Sequence, residues 1–180
     1  MFKRFKGKEH IKGITQLKSS AQKALKNRII EIYPDLDPFM NEIFPKKSQL
    51  TLIKCEERIS LYSLNNEVLF FQYFDNIYPH LKLIHKYPDG FLKVQADQGV
   101  IKSILSGANL MCPGLTSKGS YCPDDIDAQK TVSIMVCGKE HAVAVGITKL
   151  SSNDIKIINK GIGIENIHYI GDSLWNLVLD

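Results

Sequence analysis

"DQGVIKSILSGANLMCPGLT", residues 97–116, decides how the second half of this chain is read. Asp97 precedes apolar residues at helical spacing, Val100, Ile101, Ile104 and Leu105, so the stretch predicts a short helix with Asp97 as its N-cap. Gly107 stands where a left-handed residue would end that helix, and Pro113-Gly114 predicts a turn. Three chemistries compete for the loop: a thiolate at Cys112, a glycine loop for phosphate, and a backbone-shaped loop that docks RNA. Cys112 is followed by Pro113, which has no N–H to offer an oxyanion hole, and it follows the apolar Leu110 and Met111. That setting suits an inert thiol better than a nucleophile.

The surrounding composition favours one large domain or two small ones. Across 180 residues, 44% hydrophobic and 23% charged content is that of a folded protein, which excludes a disordered chain. No apolar run reaches the length of a membrane span. The basic start "MFKRFKGKEHIKG" lacks the apolar core of a signal peptide. Cys55, Cys112, Cys122 and Cys137 form no C-x-x-C pair, so free thiols and a cytoplasmic location are expected. Charge is uneven. Residues 1–92 carry 15 Lys+Arg against 10 Asp+Glu, whereas residues 93–180 carry 8 against 9. The first 28 residues hold nine basic groups and one acid, Glu9. Such a stretch suits a phosphate backbone or an acidic protein, and equally a solvated helix face.

Period and punctuation give the elements. Leu17, Ala21, Ala24, Leu25, Ile29 and Ile32 predict a helix up to Tyr33, with Lys18, Gln22 and Lys26 along another face and Pro34 as its stop. "DPFMNEIFP" predicts a short helix with Asp37 as N-cap and Pro38 at its first position. "LTLIKC" and "RISLYSLNNEVLFFQYF" read as strands, the latter a hairpin about Asn65-Asn66. "YPHLKLIHKYPDG" is a short helix between prolines. After a break near Pro88-Asp89-Gly90, "FLKVQ", "TVSIMVC" and "HAVAVGITKL" read as strands, the last two joined around Gly138-Lys139. "SSNDIKIINKG" is a short helix with Ser151 and Asp154 as a capping box and Gly161 as its stop. "IENIHYIGDSLWNLVLD" closes as strands. The fold class expected is α+β: a mixed α/β half over residues 1–91, then a small barrel over 92–180.

Catalytic motifs fail on context. Gly161-x-Gly163 lacks the third glycine of a dinucleotide fingerprint, since Asn166 stands there, and a strand follows instead of a helix. His10, His80, His85, His141 and His168 are scattered singly, and Cys137 and His141 across a turn do not make a zinc site. Asp124, Asp125 and Asp127 read as a solvated loop. No metal or cofactor is expected. Tyr62, Phe70, Phe71, Tyr73, Phe74 and Tyr78 fit either a stacking platform for single-stranded RNA or an ordinary strand core, and adjacent Phe70 and Phe71 must face opposite sides.

The quoted stretch together with "VSIMVCGKEHAVAVGITKLS" resembles a PUA domain, the small RNA-associated pseudobarrel found in pseudouridine synthases and archaeosine transglycosylases. The matching features are Asp97, Gly107-Ala108, Pro113-Gly114 and Gly146. The likeness runs the length of the chain. "MFKRF", "LKNRIIEIYP", "IFPKK", "VLFF", "YPHLKLIHKYP", "LSGANLMCPGLTS" and "NKGIGIENIHYIGDSLW" are similar to the malignant-T-cell-amplified-sequence family. It departs at Asp89-Gly90, where an apolar continuation is expected, and in "SKGSYCPDDIDAQ", a variable loop.

The resemblance implies a pre-PUA domain over 1–91 followed by a PUA β-pseudobarrel over 92–180. It implies a non-enzymatic, cytoplasmic translation factor that pairs with a density-regulated protein homologue. Such a factor binds the small ribosomal subunit and acts in tRNA release, recycling and reinitiation. The alternative is a PUA-containing RNA-modification module or accessory subunit. In PUA domains the loop after the first helix faces RNA, which here points to Lys102, Ser106, Gly107, Ala108 and Asn109 as contacts to tRNA or ribosomal RNA. Small residues at 107 and 108 would let a sugar-phosphate backbone approach the main chain. The basic residues Lys3, Arg4, Lys6, Lys8, Lys18, Lys23 and Lys26 form a second candidate surface, facing ribosome or partner.

Overall fold

The computed structural model describes residues 1–180. They divide into two compact units, Lys6–Phe91 with Leu177–Asp180 and Met1–Phe5 with Leu92–Asn176. Each chain end is thus grouped away from its sequence neighbours.

In the unit built from Lys6–Phe91, five strands run in sequence order as an antiparallel meander: β1 (Ile11–Gln16), β2 (Thr51–Cys55), β3 (Ile59–Leu64), β4 (Glu67–Tyr73) and β5 (Asn76–Pro79). The β3–β4 hairpin turns on Asn65 and Asn66, whose φ of 49° and 63° are the left-handed pair a tight turn of matching twist requires. Tyr62 pairs with Phe70 and Leu61 with Phe71. The helices α1 (Ser19–Ile32) and α2 (Met40–Ile43) belong with the Phe70 face: Tyr33 and Phe44 stack on the Phe70 ring at 6.4 and 6.3 Å, and the Tyr33 hydroxyl donates to the Ile77 carbonyl. Phe70 and Phe71 are both fully buried on their opposite faces, so this part of the aromatic cluster is core. Phe74 is the exposed exception and lies beneath Arg58.

Several local expectations are corrected here. β1 precedes α1, and nothing in the apolar pattern pointed to it, because Lys12, Ile14, Thr15 and Gln16 are exposed and carry no buried alternation. The buried stripe of α1 is Gln22, Leu25 and Ile29, while Ala21 and Ala24 face solvent. Gln22 is tolerated inside because its amide donates to the Leu17 carbonyl at 3.0 Å. Pro34 ends α1 and also begins a 3-10 helix, Pro34–Phe39, so Asp37 and Pro38 lie inside a helical turn and Asp37 is not an N-cap. The third helix, α3 (Leu81–Lys86), is capped by His80, whose Nδ1 accepts from the Lys82 N–H at 3.0 Å.

The second unit carries β6 (Lys93–Ala96), α4 (Ile101–Ile104), β7 (Leu110–Met111), α5 (Pro113–Thr116), β8 (Thr131–Val136), β9 (Ala144–Thr148), α6 (Ser152–Ile158) and β10 (Ile162–Tyr169). The sheet order is β6-β8-β9-β10-β7, with β6–β8 parallel and the other pairs antiparallel. The parallel pair needs a crossover, and residues 97–116, with their one-turn helices, lie on it. The sheet curls as a half-barrel over Ile104, Leu110, Cys112, Leu115, Ile134 and Ile164. Asp97 Oδ1 accepts from Gly99 N at 2.7 Å and Ser151 Oγ from Asp154 N at 3.1 Å, as the caps required. Three readings change. Pro113-Gly114 opens a helical turn, with proline at N1, rather than a bend. Asn159, at φ 47°, stops α6 before Gly161 does. After Tyr169 the chain forms turns, not strands.

Candidate nucleic-acid interface

Lys102 is exposed on α4, and the chain behind it closes on itself. Ser106 N donates to the carbonyls of Lys102 and Ser103, Gly107 N to Ile104 at 2.9 Å, and Ala108 N to Ser103 at 3.0 Å. The Ser106 hydroxyl also turns inward, to the Ser103 carbonyl at 2.7 Å. Gly107 takes φ +90°, the left-handed residue of this helix end. The main-chain donors of 106–108 are therefore spent on the fold and are not available to cradle a phosphate.

What holds the loop in place lies far along the chain. Asn166 is buried on β10, where the register with β9 slips between Asn166 and His168. Its Nδ2 donates to the carbonyls of Ile104 and Ala108, each at 3.0 Å, and its main-chain N–H donates to Asn109 Oδ1 at 3.0 Å. Asn109 is thus one half of a two-asparagine clamp. Ser106 and Ala108 are exposed, and Gly107 and Asn109 half-buried.

The approach over Gly107 is also occupied. A Cβ built there would lie 2.7 Å from Lys3 Cε and 3.2 Å from the ring and hydroxyl of Tyr169. The missing Cβ makes room for a lysine stem and a tyrosine ring beside the loop. Lys3 reaches this place because the first five residues are anchored. Phe2 is almost wholly buried, with its ring edge-on to Phe5 at 5.5 Å and to His168 at 6.0 Å. His168 and Asp172 form a buried pair, Nδ1 to Oδ2 at 2.7 Å, and the Asp172 carboxylate also accepts from the N–H groups of Tyr169 and Trp175. Burial pushes the N-terminal ammonium below its ordinary value, with Asp172 pulling the other way. Burial likewise raises the Tyr169 phenol, which stays a neutral hydroxyl beside Lys3.

The basic residues of the second candidate surface come from both units. Lys3 and Arg4 belong to the unit with the loop, and Lys6, Lys8, Lys18, Lys23 and Lys26 to the other. Lys8 pairs with Asp180. Lys26 is half-buried, its ammonium 5.4 Å above the Phe44 ring, so it is a packing cation. Lys18 and Lys23 remain exposed. Of the basic residues drawn from the sequence, Lys3 is the one that lies against the loop. Asn166, Tyr169 and Phe2 carry no local signal, because their roles depend on contacts across the sheet.

The other chemistries find no support here. Cys112 is fully buried in the core. Asp124 pairs with Lys156, which holds its carboxyl below the usual range. No group of three or more His, Cys, Asp or Glu is placed to hold a metal ion, and no helix is long and apolar enough to cross a membrane.

Comparison with known proteins places both units. Residues 5–88 match the family described as "Pre-PUA-like domain" and residues 92–173 that described as "elF2D, PUA domain". The chain is 52% identical to translation machinery-associated protein 20 of Schizosaccharomyces pombe over 100% of both chains. It is 46% identical to the protein of that name from Saccharomyces cerevisiae, again over 100% of both. It is 46% identical to malignant T-cell-amplified sequence 1-B of Xenopus laevis over 98% of each. Among solved structures, a hypothetical protein of Pyrococcus horikoshii shares the fold at TM-score 0.74 and 20% identity, covering 91% of this chain and 98% of its own. A conserved PUA domain protein of Thermoplasma acidophilum does so at TM-score 0.68 and 20% identity, covering 90% of this chain and 97% of its own.

Proposed function

The chain belongs to the family that couples a pre-PUA-like domain to a PUA domain, with translation machinery-associated protein 20 and malignant T-cell-amplified sequence 1 among its members, and from that premise we propose that it is a non-enzymatic RNA-binding factor of the translation machinery. It works in the cytoplasm on the small ribosomal subunit, paired with a density-regulated protein homologue, in tRNA release, recycling and reinitiation. The observation that carries the reading is the end-to-end likeness to relatives named for the translation machinery. The site geometry supports a role by contact rather than by bond chemistry. Lys102, Ser106 and Ala108 are presented on a loop that Asn109 and Asn166 hold rigid, with Lys3 laid beside Gly107.

With the main-chain donors of 106–108 engaged, affinity at this loop comes from Lys102 and Lys3 against phosphates, and it is electrostatic and sequence-independent. Lys18 and Lys23 face the ribosome or the partner protein. The test is binding of purified small subunits across a salt titration. Lys102→Glu with Lys3→Glu weakens binding and flattens the log-log salt slope by about 0.9 for each phosphate that is no longer neutralised. Unchanged affinity and slope would refute the reading.

A further inference from the structure

β1 is the end strand of its sheet, and its outer edge is bare. Leu17 N donates to Leu50 O at 2.9 Å, and the register pairs Thr15 with Leu52 and Gly13 with Lys54. In an antiparallel ladder the bonded residues alternate, so Leu17, Thr15 and Gly13 face β2. Ile14 and Gln16 then direct their N–H and C=O groups away from the sheet, and neither makes another hydrogen bond in the fold.

The side chains repeat the message. Ile14, Ile53, Leu61, Phe71 and Tyr78 stand opposite one another strand by strand across the whole sheet. The last four are between 0% and 4% exposed, yet Ile14 is 62% exposed. The apolar row reaches the edge strand and ends uncovered. On the other face nothing lies within 4 Å of where a Gly13 Cβ would be. Edge strands are ordinarily guarded by bulges and charges. Here the bulge and Lys12 guard only the start of β1, leaving residues 13–16 regular.

We infer that β1 receives an extended, acidic segment of another protein as a sixth strand of this sheet, with an apolar side chain of that segment covering Ile14. Strand addition matches a row of free main-chain groups. Charge selects the occupant. Lys12 and Lys54 are exposed at the start of the bare edge and Lys18 past its end, whereas Glu9 and Glu56 stand beyond the start, Glu56 beside His10. A second copy of this chain would bring two such lysine groups together, which disfavours self-pairing. The inference stands apart from the RNA-facing reading, because β1 carries none of the residues of that loop.

The test uses the full chain and a synthetic probe, the peptide Asp-Val-Thr-Val-Glu-Val-Asp, followed by amide NMR and hydrogen exchange. The peptide is expected to shift the amides of Ile14 and Gln16 and to slow their exchange, with the same peptide bearing Lys in place of Asp and Glu binding about tenfold more weakly. Gln16→Pro removes only an outward-facing donor, and edge strands tolerate proline there. It and Ile14→Asp each weaken binding about tenfold while the unfolding temperature holds. The inference falls if no β1 amide responds, or if both variants bind the peptide as the parent does. It falls equally if polyuridylate or self-association, in place of the acidic peptide, protects Ile14 and Gln16.

Discussion

Gly146→Ala strikes the half-barrel where it has no slack. Gly146 sits on β9 between Val132 of β8 and Asn166 of β10. A Cβ there would stand 2.3 Å from Ile164 Cγ2, 2.7 Å from the Glu165 carbonyl oxygen and 3.3 Å from Ile134 Cδ1. Ordinary contact begins near 3.4 Å, so β10 would have to retreat by roughly 0.7 Å at a main-chain oxygen, and a buried Ile164 would have to change rotamer. Overpacking of this kind costs about 1–3 kcal/mol, and the involvement of main chain puts this case at the upper end, about 3 kcal/mol. For a unit of this size that lowers the unfolding temperature by about 12 °C or more. The displaced strand carries Asn166, so the 104–109 loop should loosen too. Calorimetry or thermal circular dichroism measures the first effect, and hydrogen exchange at Gly107 and Ala108 the second. Gly13→Ala, with open space at its Cβ, is the control. A Gly146→Ala protein that unfolds within a degree or two of the parent would refute the contact argument.

Asn166→Ala strips the donor from the carbonyls of Ile104 and Ala108 while losing nothing at Oδ1, which has no partner. It should cost about 2 kcal/mol and speed exchange at Gly107 and Ala108, leaving β8–β9 amides protected; uniform exchange across the unit would contradict the clamp. Cys55, buried at the end of β2, has its thiol pushed up from 9.0 to about 11 by burial. The folded state therefore keeps that proton after the unfolded chain has lost it. The stabilisation is full below pH 9 and is lost as pH rises toward about 11. Urea unfolding followed from below pH 9 up to about 11 should show this decline, and Cys55→Ala should lessen it; an identical pH profile in the variant would count against it.

Local chemistry made much of the fold readable. Asn65-Asn66 marks a hairpin between two strand-like runs, because both residues tolerate positive φ. Asp97 and Ser151 cap their helices through bonds two and three residues long. Gly107 ends α4 for the same short-range reason. The misreadings share a cause. β1 shows no alternation because both its faces are exposed, and Gln22 looks like a surface residue until the Leu17 carbonyl is seen beside it.

The candidate interface divides along the same line. From the sequence alone came its address, residues 102–109, and the family likeness, because glycine, proline and capping residues act on their immediate neighbours. Only the tertiary structure decided what that loop can offer a ligand. It consumed the main-chain donors of 106–108, filled the space over Gly107 with Lys3 and Tyr169, and set Asn166 as the clamp. Those partners stand far from the loop along the chain, Asn166 58 residues beyond Ala108. Hydrogen bonds and close packing across a sheet depend on register, and register is a property of the whole fold rather than of any short stretch.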